Sequence, residues 1–391
     1  VRLRFTPVGK RSSKRLCPAI DHRPAMVYGP ERRQAEGRET VQTPWMIYGA
    51  NGYTGELIAR EAVGRGLKPV LAGRTAAKME ALAASLGLRA RVFDLANAAA
   101  TSRGVEGMGL VLHCAGPFSA TAAPMMAACL AVRAHYLDIT GEISVFEHAR
   151  TLEAAARVAD IVVCPGVGFD VIPTDCVAAA LKAALPDATH LVLGFDSRSG
   201  FSPGTAKTSV EGLAQGGKVR QDGRIISVPL AYKTRRIDFG DGEKLAVTIP
   251  WGDISTAYAT TGIPNIEVYI PGSPAMVARL RRANRLKWLI GTGLAQRFMK
   301  RRIERTVKGP SAAKRDAQPT FVWGEATNAR GDKRTARIKT ANGYSLTVTG
   351  ALAVVEHLLA NSVPGGAYTP AKLIGPDLVT RLPGSGPLQI A

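Results

Sequence analysis

Three glycines stand at GxxGxxG spacing in Gly49-Ala50-Asn51-Gly52-Tyr53-Thr54-Gly55, directly after an apolar run and directly before a helix-patterned stretch. In that position glycines allow a tight turn and close backbone approach to a diphosphate, whose charge is met by free N–H groups and the dipole of the helix N-terminus. The chemistry would be dinucleotide binding through Gly49, Asn51, Gly52, Tyr53, Thr54 and Gly55; a plain glycine-rich turn is the alternative. At the end of the second apolar run, Ala72-Gly73-Arg74-Thr75 is followed by Lys78 and contains no acid. An Asp or Glu there binds the 2′-hydroxyl of NAD, whereas a guanidinium pairs with a 2′-phosphate. Arg74 and Thr75 therefore favour NADP, unless Arg74 is simply an exposed surface residue. Asp94 ends the third run, where it either faces the adenine or caps the next helix.

Later strand ends carry the remaining candidates. Cys114-Ala115-Gly116-Pro117-Phe118 opens the loop beside the ribose and nicotinamide, where small residues let the ring approach the backbone. A Gly-Pro turn explains the same residues. Asp138-Ile139-Thr140-Gly141-Glu142 and Gly166-Val167-Gly168-Phe169-Asp170-Val171-Ile172-Pro173 follow the fifth and sixth runs, and open α/β sheets bind ligands at the carboxyl ends of their strands. Glu142 and Asp170 are thus candidates for contact with the cleft. As proton donors, Tyr258, Lys207 and His135 are chemically competent and none is favoured by spacing. Cys17, Cys114, Cys129, Cys164 and Cys176 form no CxxC or Cys/His pattern and no disulfide scaffold. No metal site is expected, and a reduced, cytoplasmic setting is.

These residues must be held by regular elements. Short apolar runs at 45–48, 69–72, 90–93, 110–113, 135–138 and 161–164 alternate with helix-patterned segments at 53–65, 76–86, 120–133 and 143–157. Buried-looking strands joined by helices predict a parallel, doubly wound Rossmann sheet over 45–172, because parallel neighbours need crossover connections. After a helix at about 173–185 the pattern changes to alternating strands at 191–196, 225–232, 245–249, 266–270, 321–327, 335–340 and 344–348. Ala329-Arg330-Gly331-Asp332 and Asn342-Gly343 supply turn residues that tolerate positive φ. A second, mixed α/β domain with an antiparallel sheet is predicted over 173–350. A helix at about 351–361 then opens a Pro- and Gly-rich closing segment, 351–391.

The length of 391 residues fits about two domains, and 46% hydrophobic content excludes a disordered or fibrous chain. The net charge of +20 is unevenly spread. Residues 1–44 hold 10 basic against 4 acidic residues, and residues 279–315 hold 13 basic residues against Glu304 alone, so the remainder is nearly neutral. The first segment reads as a basic, mobile tail with no apolar run of a secretory signal, or as a product of a chain start placed upstream of the native one. Uncharged apolar stretches such as 288–295 fall far short of the roughly 20 residues that span a bilayer. In the second basic segment Leu286, Ile290, Leu294 and Phe298 recur every four residues, with arginines mostly off that stripe. Such a helix caps an apolar cleft or lies on an anionic membrane surface, although Gly291 and Gly293 weaken it. No nucleic-acid fold and no stacking aromatics interleave with the arginines, so nucleic acid is not an expected partner.

Taken together, Gly49 to Gly55, Ala72-Gly73-Arg74, Gly116-Pro117-Phe118, Tyr136 to Glu142, Gly168-Phe169-Asp170 with Pro173 and Asp175, and Thr369-Pro370-Ala371 resemble the saccharopine dehydrogenase-like NADP-binding proteins. The resemblance covers about residues 45–380. It is nearer to the bacterial branch related to trans-acting enoyl reductases, and to the animal saccharopine dehydrogenase-like oxidoreductase, than to lysine-pathway enzymes. It implies a Rossmann domain, an inserted mixed α/β domain and a C-terminal segment returning to the first. Residues 199–209 resemble the Gly-Thr stretch before a helix in the enoyl-reductase branch, where Thr205 would either polarise a substrate carbonyl or cap the helix. No glutamate- or saccharopine-binding set of basic residues can be matched.

The expected function is NADPH-dependent reduction of a double bond in a hydrophobic acyl substrate, by a protein in the cytoplasm or peripheral to a membrane, with a homodimer as one arrangement. The alternatives are a saccharopine-type dehydrogenase acting on an amino-acid imine, a non-catalytic NADP-binding sensor or scaffold, and a basic binding module built on 279–315.

Overall fold

The computed structural model describes residues 43–198, 212, 216–286, 292–306 and 318–391. Its first half alternates strand and helix: β1 (Trp45–Tyr48), α1 (Tyr53–Gly64), β2 (Val70–Gly73), α2 (Ala76–Leu86), β3 (Ala90–Val92), α3 (Ala98–Val105), β4 (Leu110–His113), α4 (Phe118–Val132), β5 (His135–Asp138), α5 (Ile143–Thr151), α6 (Glu153–Ala159) and β6 (Val162–Cys164). Every residue of β1, β2, β4 and β6 is buried, which is why these strands read as unbroken apolar runs. All pairings are parallel, and a strand from near the C-terminus, β15 (Gly366–Ala367), adds itself beside β6. The sheet order is β15-β6-β5-β4-β1-β2-β3. The chain therefore leaves β1 towards β2 on one side and reaches β4 on the other, which opens a crevice above the carboxyl ends of β1 and β4.

Beyond α7 (Ile172–Ala184) come β7 (Ala188–Asp196), β8 (Gly217–Gln221), β9 (Arg224–Val228), β10 (Thr234–Asp238), β11 (Glu243–Thr248), α8 (Asp253–Thr261), β12 (Asn265–Pro271), α9 (Pro274–Ala283), α10 (Gly293–Thr306), β13 (Thr320–Asn328) and β14 (Lys333–Thr340). After them run α11 (Gly343–Ala360), β15, α12 (Pro370–Ile374), α13 (Leu378–Arg381) and β16 (Gln389–Ile390). The second sheet has the order β10-β11-β12-β7-β13-β14-β16, with the β8–β9 hairpin attached to β12. Only β7 and β12 are parallel neighbours in it. The architecture is thus the expected one: a parallel Rossmann-like sheet and a second mixed sheet. One continuous core runs from Ile47 and Leu112 through Ile172 and Leu193 to Val322 and Leu352.

Three sequence expectations need correction. Tyr344–Val348 is not a strand; with the helix expected at 351–361 it forms the single helix α11, which crosses the domain boundary drawn at 350. The reason is Asn342. Its side-chain oxygen accepts the N–H of Tyr344 at 3.0 Å, so Asn342-Gly343 caps a helix instead of turning a hairpin. Helix α11 also has the length and apolarity of a membrane span, with 56% of the window buried. Leu346, Leu352, Val355 and Leu358 face the core, and the helix packs on α1. Finally, the basic segment is not one helix: α9 ends in a 3-10 turn at Asn284–Leu286, and α10 begins at Gly293. Of its four-residue stripe, Ile290 and the side chain of Leu286 lie outside the described residues. Leu294 and Phe298 face outward, at 81% and 68% exposure.

Because the Asn342 amide also donates to the Gln318 carbonyl at 3.2 Å, one side chain both starts α11 and ties it to the residues just before β13. Asn342→Ala is expected to lower the unfolding free energy by about 1 kcal/mol, and Asn342→Asp, which keeps the accepting oxygen, by less. Urea denaturation of the two variants checks this.

Candidate functional site

The crevice is built on close backbone contact. Gly49 has φ +83°, and a Cβ there would stand 2.8 Å from the Ala115 Cβ, so the turns after β1 and β4 touch. A Cβ on Gly55 would lie 2.4 Å from the Gly49 carbonyl oxygen, which only glycine permits without displacing the turn. Gly52 caps α1 without a side chain, and its own N–H donates to the Gly49 oxygen at 3.0 Å. The N-terminal end of α1 is therefore left to point into the crevice, and its dipole favours an anion there.

From the crevice a cleft of ≈ 1720 Å³ extends to the second sheet. Of the expected cofactor residues, Gly49, Asn51, Gly52, Tyr53, Thr54, Arg74, Thr75, Ala115, Gly116 and Phe118 line it. Arg74 is exposed and forms no hydrogen bond or ion pair to another described residue. Gly55 acts one layer behind, through the close approach just described, and Pro117 is the N-cap of α4 in a cis Gly116–Pro117 peptide. Asp94 is the exception: it does not line the cleft and does not cap α3. Its carboxylate accepts the N–H of Ala96 at 3.0 Å, while Asn97 caps α3.

Glu142, Asp170 and Tyr258 line the same cleft. Glu142 is committed to structure, because its carboxylate accepts the Phe118 and Ser119 N–H groups at 2.9 and 2.7 Å and so closes the N-terminus of α4. Asp170 is different. Its carboxyl lies against the loop after β5, where a Cβ on Gly141 would meet Oδ2 at 3.1 Å, and it accepts no hydrogen bond from a described residue. Trp251 Nε1 donates to the Asp170 carbonyl oxygen at 3.2 Å, and the Phe169, Phe195 and Trp251 rings pack in sequence beside it, the first pair edge to face and the second tilted. Burial in this apolar setting pushes the Asp170 carboxyl up to about 7.

Tyr258 is sandwiched: the Arg220 guanidinium sits 4.0 Å from its ring centroid and that of Arg150 5.4 Å. Arg220, itself buried, donates to the Ile254 and Gly223 carbonyls and to Glu147 at 3.0 Å. Glu147 also accepts from Ser255 and Arg150, so this corner is a closed charge network. His135 is not a proton donor to the cleft. It does not line it, and its Nδ1 accepts the Val162 N–H at 2.9 Å. Thr205 and Lys207 lie outside the described residues. Among the described residues no group of three His, Cys, Asp or Glu side chains is placed to hold a metal ion.

Two buried carboxyls set the loops around the cleft. Asp138 accepts from the Tyr136 hydroxyl and from the Thr140 and Gly166 N–H groups, pinning the loops after β5 and β6 together, and burial raises it to about 6. Asp175 accepts from Thr260 at 2.5 Å and from the Ala371 N–H at 2.9 Å, joining α7, α8 and α12; burial raises it likewise to about 6.

Residues 45–164 match the saccharopine dehydrogenase NADP binding domain. The first domain belongs to that family. A Mycobacterium tuberculosis protein named, provisionally, a trans-acting enoyl reductase is 26% identical over 415 aligned positions, covering 87% of this chain and 95% of that protein. A second M. tuberculosis protein, a trans-acting enoyl reductase, is 28% identical over 211 positions, about half of each chain at 49%. The apo saccharopine dehydrogenase (L-glutamate forming) of Saccharomyces cerevisiae superposes on 89% of this chain and 100% of its own, with a TM-score of 0.58 at 11% identity, which shows a common fold. The chain is an NAD(P)-binding, saccharopine dehydrogenase-like oxidoreductase.

Sequence reasoning missed the far wall of the cleft: Glu147, Arg150, Lys218, Arg220, Arg224 and Trp251. The β8–β9 hairpin that brings three of them carried a readable signal in Asp222-Gly223, whose φ values are +48° and +76°. Asp170 supplies the test of the site's electrostatics. Its folded-state value stands above that of an unfolded aspartate, so the stability it contributes is fully present below the ordinary carboxylate value and is lost as pH rises through about 7. Asp170→Asn is expected to flatten the decline of unfolding free energy between about pH 4 and 7, measured by urea denaturation across that range. An unchanged decline would place the carboxyl in water.

Proposed function

We propose that this oxidoreductase uses NADPH to saturate a carbon–carbon double bond conjugated to a carbonyl in an apolar acyl substrate. One arrangement carries the reading. The Arg74 guanidinium and the Asp170 carboxyl, neither hydrogen-bonded to another described side chain, line a single cleft from the ends of β2 and β6. A free cation at the first place suits a 2′-phosphate, and a carboxyl raised towards neutrality at the second suits proton delivery. The names of the mycobacterial relatives agree with enoyl reduction.

A reduced nicotinamide, when bound, supplies hydride. The chain's own residues do the rest. Gly49, Gly52 and the N-terminal end of α1 receive the diphosphate, and Arg74 receives the 2′-phosphate. Ala115 and Gly116 leave room for a ring against the backbone, and Phe169, Phe195 and Trp251 make an apolar shelf that keeps water from it. Burial raises the Asp170 carboxyl to about 7, so near neutral pH it can both hold and release a proton. It delivers that proton to the substrate carbon next to the carbonyl.

A second reading, reduction of an amino-acid imine, draws on Arg150 and Arg224, which bring guanidinium groups to the cleft wall where a substrate carboxylate would need them. Arg150 already meets Glu147 at 3.3 Å, which favours the first reading.

Titration with NADPH and NADH side by side tests the cofactor assignment. Arg74→Glu is expected to weaken NADPH by about tenfold or more and to leave NADH nearly unchanged; equal loss for both would remove Arg74 from the 2′-phosphate. With a trans-2-decenoyl thioester as substrate, Asp170→Asn is expected to keep NADPH affinity and lose about a hundredfold or more in turnover. Full turnover in that variant would assign the proton to another group.

A further inference from the structure

The outer face of α10 has an unusual make-up for an exposed surface. Leu294, Phe298, Arg301 and Arg305 recur at i, i+4, i+7 and i+11, and all four are exposed. Arg297 and Arg302 flank them on either side, also exposed. Two large apolar side chains thus lie next to each other within a field of guanidinium groups. Ala295, Met299 and Ile303 occupy the opposite, partly buried face. Water is a poor solvent for Leu294 and Phe298. Nothing described in the chain covers them, and a protein core would not accept the arginines around them.

The preceding helix in the sequence is basic as well. Helix α9 carries Arg279, Arg281 and Arg282 and no acid. Its Val277 is buried against Ala231 and Val247, and the Asn284 side chain at its end grips the backbone of Leu230 at 2.8 and 3.1 Å. Met276 and Leu280 on this same helix line the cleft. Next to that anchor Tyr232 is exposed, with the Lys233 ammonium 5.3 Å from its ring centroid. The arginines of α9 therefore border the wall of the cleft.

We propose that the outer face of α10 docks this protein onto an anionic lipid surface, with the arginines of α9 adding to the positive charge of the segment. Leu294 and Phe298 enter the acyl boundary, and the arginines, whose long stems can lie along apolar surface while their heads stay wet, meet the lipid phosphates. The charge complementarity selects anionic lipid, and the apolar pair distinguishes a bilayer from a merely acidic macromolecule, which would need the arginines alone. The inference rests on this surface and holds whatever reaction the cleft performs.

Flotation of the full chain with vesicles tests it, using phosphatidylcholine alone and phosphatidylcholine mixed with phosphatidylglycerol. Binding is expected only to the mixed vesicles and is expected to weaken as salt is raised. The double variant Leu294→Ser, Phe298→Ser is expected to lower the bound fraction about tenfold while its melting temperature and circular dichroism stay unchanged, since both side chains are exposed. The triple variant Arg297→Glu, Arg301→Glu, Arg305→Glu is expected to abolish binding. Three results would overturn the proposal: no binding to mixed vesicles at low salt, equal binding to neutral ones, or binding that is indifferent to Leu294 and Phe298. The last would show simple electrostatic attraction, of the kind an acidic protein or the basic residues 1–44 would also produce.

Discussion

Everything in the cleft depends on how closely three pieces of backbone approach one another at the carboxyl end of β1. The Gly49 turn touches Ala115 of the neighbouring loop, and α1 can start where it does only because Gly55 has no side chain to meet the Gly49 carbonyl. That contact fixes the direction of the α1 dipole and the distance between the loops after β1 and β4. It also sets where Arg74 stands relative to them, since Gly49 and Ala50 donate their N–H groups to the carbonyl of Ala72, two residues before it. A parallel sheet supplies such a place once, where consecutive connections leave in opposite directions.

The second domain is attached to this centre by carboxyls out of water. Asp138 holds the loops after β5 and β6 by one side chain, and Asp175 reaches both α8 and the late segment around Ala371. Asp253, fully buried, takes the Thr174 hydroxyl at 2.5 Å, and burial holds its carboxyl well above the usual range. These groups are held by N–H and O–H donors and form no salt bridge with a described residue, and burial raises each of them above the usual carboxylate value. Asp170 shares their apolar surroundings but not their partners. In that difference lies the argument for chemistry at Asp170 and for structure at the other three.

Much of the first domain was legible because its physics is local and periodic. Fully buried strands are written as apolar runs, and a glycine motif between strand and helix has few other uses. That Arg74 stands on the cleft could be read because the end of the second strand is a fixed address. The far wall was not legible, since Arg220, Glu147 and Tyr258 come from β8, α5 and α8 and meet only through tertiary packing. Asp94 and Asn342 show the limit of local chemistry. Each was read for a standard role of a short polar side chain and took another, Asp94 a turn instead of a helix cap, Asn342 a cap instead of a turn. At Tyr344–Val348 the β-branched and aromatic residues favoured a strand, and burial of the apolar face of α11 against α1 overrode that preference.

The central claim is that hydride and proton are added across a conjugated double bond. Its most direct test is a reaction of the purified protein with deuterated NADPH and a trans-2-decenoyl thioester, with the product analysed by mass spectrometry. The account predicts a saturated acyl product with one deuterium on the carbon remote from the carbonyl and one solvent hydrogen on the carbon beside it. An intact enoyl substrate under conditions in which the same protein oxidises NADPH with an imine formed from an amino acid and a 2-oxo acid would contradict it.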